Sequence, residues 1–239
     1  MNVKIKVISA LLIFISLNCL FAQSDDSSAP DISFAAEAYL KGEYTRGSYN
    51  YGEGSLIGTV NLNDQLEFRL GAAIGTSSLN KDVNVSLKTE YSPFSSRYLS
   101  PLNFSLFYLY NGLPEFYAHT HSILPLVSYT AKRFGAAAGV NFRFTSFFDE
   151  APQFETILSL HLYFNFIAND TVTAGIGAGN ISDFHAKNFG ALSLKLNVDV
   201  RLNNKWSILS EIEVMQSGMD GLTATFYGFS WRGGAKYSW

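Results

Sequence analysis

The chain has 239 residues, 47% of them hydrophobic and 15% charged, with a formal net charge of -3. Its apolar residues are dispersed rather than massed, which excludes a helical multi-span membrane protein, and its 15% aromatic content with so little self-repulsion excludes a disordered chain. The mild acidity gives no footing for nucleic acid, and Gly 19, Phe 20 and Tyr 13 against Met 3 and Cys 1 favour strands and turns.

Residues 1–22 read as an export signal. Lys4 and Lys6 form a basic start, Val7 to Leu17 a short apolar stretch, and Leu20-Phe21-Ala22 a cleavage site. Ser16 and Asn18 interrupt the stretch and Ser24-Asp25-Asp26 follows it, so it is too short to be a membrane anchor. Asn18 precedes Cys19 where a lipidation signal carries a small residue. Cleavage after Ala22 removes the only cysteine, so no disulfide holds the exported chain. Residues 23–30 are then a short periplasmic lead, and residues 31–239 are the folded unit.

From there the chain alternates with a period of two, the signature of strands with one apolar face. Leu66, Phe68, Leu70, Ala72 and Ile74 oppose Glu67, Arg69, Gly71 and Gly75; Val83, Val85 and Leu87 oppose Asn84, Ser86 and Lys88. Further along, Phe134 to Phe144, Leu158 to Phe166 and Leu192 to Val200 repeat the pattern, and so do Trp206 to Val214 and Phe229 to Trp239. No convincing 3.6-residue period occurs, so the fold class is all-β.

Polar turns at Asn63-Asp64, Lys132-Arg133, Asn169-Asp170 and Asn203-Asn204 divide the chain at nearly even intervals once a further turn is placed in Ser95 to Pro101. Six hairpins, hence twelve antiparallel strands, result. Ten remain an alternative if the proline-bearing stretches Pro93 to Pro101 or Pro114 to Pro125 fail to form strands. Between the turns lie longer connections: Gly47 to Gly54, Thr76 to Lys81, Asn111 to Ser122, Asp149 to Gln153, Ser182 to Lys187 and Ser217 to Gly221. Asn111 to Ser122 reads as the longest.

Short turns at one end and longer loops at the other, with an even strand count, an export signal and a last strand closing on Ala235-Lys236-Tyr237-Ser238-Trp239, resemble a bacterial outer-membrane β-barrel protein of the porin-like class. The resemblance implies an up-and-down transmembrane barrel in the outer membrane, surrounded by lipid and recognised by the barrel-assembly machinery through its final strand; that strand usually ends on Phe rather than Trp239. A soluble sandwich or cavity barrel alternates too, but about eight strands is the most that side chains can fill, so a twelve-stranded barrel turns its apolar face outward. Tyr91, Tyr108, Tyr110, Trp206, Trp231, Tyr237 and Trp239 then serve as interfacial aromatics.

Parity assigns Glu37, Glu43, Glu67, Glu90, Glu155, Asp199, Glu211 and Glu213 to the lumen, with Lys41, Arg69, Lys88, Lys132, Arg143, Lys195, Arg201, Lys205, Arg232 and Lys236. The turn at Asn203-Asn204 brings Lys195 opposite Glu211 or Glu213, so part of this charge pairs across strands. Arg69, Arg143, Lys195 and Arg232, with Glu67, Glu211 and Glu213, are the constriction candidates of a channel for small hydrophilic solutes. Gly71, Gly75, Gly135, Gly139, Gly175, Gly177 and Gly179 also point inward, leaving open space or room for a loop to fold in.

Other classes have thinner footing. A rim-sited lipase or protease would use Asp183-Phe184-His185, with Asp149-Glu150 and Glu115 nearby, to orient an imidazole as general base. His119 and His121, beside Phe116 and Tyr117, make a weak metal pair with only Glu115 as a nearby acid. A closed barrel with an adhesion or structural role would present Tyr49 and Tyr51 in its first loop. No cofactor motif, metal site or catalytic residue is assigned.

Overall fold

The computed structural model describes residues 32–45, 50–62, 65–77, 81–93, 101–148, 150–217 and 225–239. The export signal 1–22, the lead 23–30, the Asn63-Asp64 turn, Tyr49, Asp149 and residues 95–100 lie outside the described residues. Twelve strands follow in order: β1 (Ile32–Thr45), β2 (Tyr51–Leu62), β3 (Leu66–Ser77), β4 (Lys81–Tyr91), β5 (Leu102–Leu113), β6 (Ala118–Thr130), β7 (Phe134–Ser146), β8 (Gln153–Ala168), β9 (Val172–Gly179), β10 (Ser193–Arg201), β11 (Trp206–Ser217) and β12 (Thr225–Ser238). Each pairs antiparallel with its sequence neighbours, and β12 closes on β1, so no edge is left unpaired. The count is twelve rather than ten because β5 and β6 form despite their flanking prolines. Pro125 lies within β6 and only interrupts its ladder to β7, which resumes in the same register from Leu126↔Gly139.

Closure is fastened at the turn end. Phe34 and Trp239 exchange backbone bonds of 3.1 and 3.0 Å, and their rings stack at 5.9 Å. Tyr237 joins Trp206 and Trp239 in the same aromatic group. Trp231, by contrast, sits on the outer wall against Gly42, whose missing Cβ leaves room for the indole. Two turns share one device: Asn169 Oδ1 accepts from the Thr171 and Val172 amides at 3.0 and 2.7 Å, and Asn203 Oδ1 from the Lys205 and Trp206 amides at 2.9 Å each.

The apolar face points outward. Leu40, Leu56, Leu70, Ile74, Ile176 and Ile212 are exposed on the wall, whereas Glu37, Ser55, Asn84, Asn141, Ser159, Ser193 and Glu213 are buried inside. This is an inside-out distribution that suits a lipid surround. The bulge between Asn165 and Ile167 adds Ile167 to the outer face beside Phe166.

Two expectations are corrected. Strands β5 and β6 run on to Leu113 and from Ala118, leaving only a 3-10 turn at Pro114–Phe116 and Tyr117, so Asn111 to Ser122 is not the longest loop. That place belongs to 180–192, where β9 stops at Gly179 and the chain leaves the wall. The lumen is also less polar than parity implied. Phe107, Leu109, Leu124 and Leu126 form one inward apolar patch, and Ile57, Ala73 and Tyr39 a second.

Candidate functional site

Those patches receive the loop 180–192, which folds into the lumen. Asn180 starts it: buried at 2% exposure, its amide donates to Leu158 O at 2.9 Å and Lys187 O at 3.0 Å, and its Oδ1 accepts from the Leu160 amide at 2.8 Å. A single asparagine thus ties the loop's base to β8. The Lys187 amide returns to Asn180 O at 2.7 Å, Ile181 bridges Ala186, and the Ser182 amide donates to His185 O at 2.8 Å. Residues 180–187 are therefore a small hairpin finger with a tight tip.

Apolar burial seats the finger. Ile181 and Ala186 pack on Leu109, Leu124 and Leu126, while Phe184, 3% exposed, packs on Ile57 and Ala73. Burying one such ring is worth roughly 2–3 kcal/mol. Gly71 of β3 makes the seat: a Cβ there would stand 2.9 Å from the Phe184 ring. The inward glycines divide on this point. Gly71 gives room for the loop, Gly135 and Gly139 lie under Tyr163 and Leu126, and Gly175 and Gly179 lie under Asn165 and His161.

Charge fixes the finger's position. Asp183 accepts from Arg69 at 3.1 Å and Arg232 at 2.7 Å; burial alone would raise its carboxyl, but those two guanidiniums hold it well below the usual carboxylate range. Arg69 also meets Glu37 at 2.8 Å, Tyr39 donates to Glu37 at 2.6 Å, and Arg232 lies 3.6 Å over the Tyr39 ring. On the opposite side Lys187 bonds Glu213 at 2.8 Å, and Arg143 bonds Asn188 at 2.9 Å as well as the Ala186 carbonyl.

Most of the remaining lumen charge is paired across or along strands. Lys195 sits opposite Glu213 in register but reaches Glu211 at 3.5 Å, Glu213 being taken by Lys187. Lys88 meets Glu90 at 2.6 Å and Glu67 at 3.8 Å, Lys41 meets Glu43 at 3.0 Å, Arg143 meets Glu155 at 3.2 Å and Lys236 meets Glu37 at 3.4 Å. Asp199 has no ion pair among the described residues. The candidates therefore separate. Arg69, Arg143, Arg232 and Glu213 hold the finger, Lys195 and Glu211 line the wall beneath it, and Glu67 pairs with Lys88.

The finger divides the lumen. A cavity of about 910 Å³ lies on its turn side, lined by Glu37, Arg69, Asp183, Lys195, Asp199, Arg232 and Lys236 among others. Another of about 590 Å³ lies on its loop side, lined by Lys41, Glu43, Asp82, Arg143, His185 and Lys187 among others. The two share no lining residue.

This geometry corrects the remaining loop-borne expectations. Asp183 and His185 are inside the barrel and face different cavities, so the carboxylate does not orient the imidazole. His119 and His121 are in β6, and their Nδ1 atoms lie 2.8 Å from the hydroxyls of Tyr110 and Tyr108. Tyr51 belongs to β2 and points to Asp82 rather than out of a loop. Sequence reasoning missed Tyr39, Asn180, Phe184 as a seat, and the inward pair Glu53 and Asp82. Glu53 fell in a stretch read as loop, and only the alternation of β2 would have turned it inward.

No protein-family model matches the chain, and no curated sequence does so at a significant level. Solved structures do match in fold. The NanC porin shares 10% identity over 84% of this chain and 98% of its own, with a TM-score of 0.58. The KdgM porin in complex with disordered oligogalacturonate shares 9% over 85% and 99%, at 0.55. An outer membrane channel from Pseudomonas putida F1 shares 9% over 91% and 100%, at 0.55. At such identities the likeness is one of fold, and that fold is the closed antiparallel barrel of outer-membrane porins and channels.

Proposed function

We propose that the protein is exported to the outer membrane and forms a channel for small hydrophilic solutes, with the finger 180–187 as its gate. The observation that carries this is a charged, polar lumen split into two cavities by one inward loop. Twelve strands enclose more space than wall side chains fill, which leaves room for a water-filled path wherever the finger does not occupy the lumen. Here the turn-side cavity is lined mainly by charged and amide side chains, as an aqueous path requires. The porin-like fold supports the same reading. The mixed signs at the wall give little preference between anions and cations.

Single-channel recording of the refolded chain in planar bilayers tests this. Wild type is expected to pass brief or small currents, and a variant with 181–186 replaced by Gly-Gly to give steady, larger steps. Silence from both, with each folded by heat-modifiable gel mobility, would overturn the channel.

A further inference from the structure

Beneath the finger on the loop side, Glu53 of β2, Asp82 of β4 and His185 of the finger each direct a ligand atom to one point. The three atoms lie within 4.8 Å of one another. His185 Nε2 is 3.7 Å from Glu53 Oε2. The site is built rather than incidental. Gly75 of β3 lies between the two acidic strands, and a Cβ there would fall 2.0 Å from both the Asp82 carboxylate and the Tyr51 hydroxyl. Only glycine leaves the cluster its space.

Its hydrogen bonds are unbalanced. Tyr51 has one proton, yet its oxygen stands 3.0 Å from Glu53 Oε2, 3.1 Å from Asp82 Oδ1 and 2.9 Å from Asp82 Oδ2. One amide, Asn84, adds a bond of 2.8 Å to Asp82 and a long one of 3.5 Å to Glu53. Glu53 is 7% exposed, and among the described residues neither carboxylate has a lysine or arginine ion-pair partner, Lys41 being engaged by Glu43. Two carboxylates turned inward with too few protons and no lysine or arginine in direct contact, the cross-strand neighbour Lys41 bonding Glu43 instead, are a cation site in chemical terms.

We infer that Glu53, Asp82 and His185 bind one divalent transition-metal ion that ties the finger to the barrel wall. One imidazole and two carboxylates are a ligand set for Zn²⁺ and its neighbours rather than for Ca²⁺ or Mg²⁺. Bond lengths of about 2 Å draw the three atoms together, with water completing the coordination from the loop-side cavity. Because His185 is on the finger and the acids are on the wall, occupancy biases the gate toward closed. This last step rests on the channel reading; the binding does not.

Calorimetric titration of Zn²⁺ into the refolded chain tests the site. One saturable site is expected, weakened at least tenfold by His185→Ala and by Asp82→Asn and unchanged by His119→Ala with His121→Ala, which removes the outer-face histidines. Absence of saturable binding, or binding retained by the His185→Ala, Asp82→Asn double variant, would overturn it; so would Ca²⁺ binding as tightly as Zn²⁺. In the bilayer, Zn²⁺ should lower and a chelator raise the open fraction of wild type but not of His185→Ala. Titratable binding with a silent bilayer would refute the channel and leave the site standing.

Discussion

Asp183→Asn isolates what holds the finger. In the wild type the carboxylate accepts from two guanidiniums, at 3.1 and 2.7 Å, and charge-assisted bonds of this kind contribute about 1.5–3 kcal/mol each. The amide keeps one acceptor oxygen and turns its NH2 toward a guanidinium, so one bond survives at neutral strength and the other is lost. Arg69 retains Glu37 and Arg232 retains the Tyr39 ring, which limits the damage elsewhere. The docked state should weaken by about 2–3 kcal/mol, or roughly 30- to 150-fold in the ratio of docked to released finger. A chain begun at residue 23 contains no cysteine, so Ala186→Cys, at a position 9% exposed, reports release through its reaction with a methanethiosulfonate reagent. The rate should rise by that factor when Asp183→Asn is added. Rates within twofold of each other would refute the latch. The pH dependence has a fixed sign. A carboxyl held low in the folded state contributes fully above its unfolded value of about 3.9 and is lost only as pH falls through the lower folded value. Labelling corrected for thiol ionisation should therefore show no loss of this latch between pH 7 and about 5.

Three further outcomes follow from the packing and the wall. Gly71→Leu places a side chain where the Phe184 ring sits, so the finger should become susceptible to protease while the barrel keeps its heat-modifiable mobility; a finger still protected would refute the seat. Asn180→Ala removes three hydrogen bonds at the finger's base, a loss of about 2–3 kcal/mol, and should raise Ala186→Cys labelling at least tenfold. Leu70→Arg, at a wall position 60% exposed, should cost about 2–4 kcal/mol of folding in lipid vesicles, whereas folding as stable as wild type would place that face away from lipid.

How much of this was legible beforehand follows from what periodicity measures. Leu192 to Val200 or Phe229 to Trp239 betray themselves because one face is apolar and the other polar, and the Asn169 and Asn203 turns because their side chains cap the backbone. Strands β5 and β6 were legible through turn spacing rather than alternation, because Phe107 and Leu109 put apolar groups on the inward face as well, which erases the alternation. Such doubly apolar strands in a barrel are the trace of something apolar inside it. Together with Ile181, Phe184 and Ala186 in a loop that would otherwise face water, they were the available sign of the finger. The partners of Asp183 were not legible. Arg69 and Arg232 are 114 and 49 residues away, and only closure of the barrel brings β3 and β12 near β9.

Two forces seat the finger, and salt can act on only one of them. The contacts of Ile181, Phe184 and Ala186 are apolar and indifferent to ionic strength, whereas the pairs of Asp183 and Lys187 are ionic. Screening grows with separation, however, and the Debye length is still about 3 Å at 1 M, while partly buried pairs are screened less than exposed ones. Pairs at 2.7–3.1 Å in the lumen should survive. Release of the finger, read by Ala186→Cys labelling, should thus change less than about threefold between 0.1 and 1 M salt, and conductance should scale with ion activity. A steep rise of labelling with salt, with conductance rising faster than ion activity, would mean that the finger is held by long-range attraction across an open lumen, and the contact geometry argued for it would be wrong.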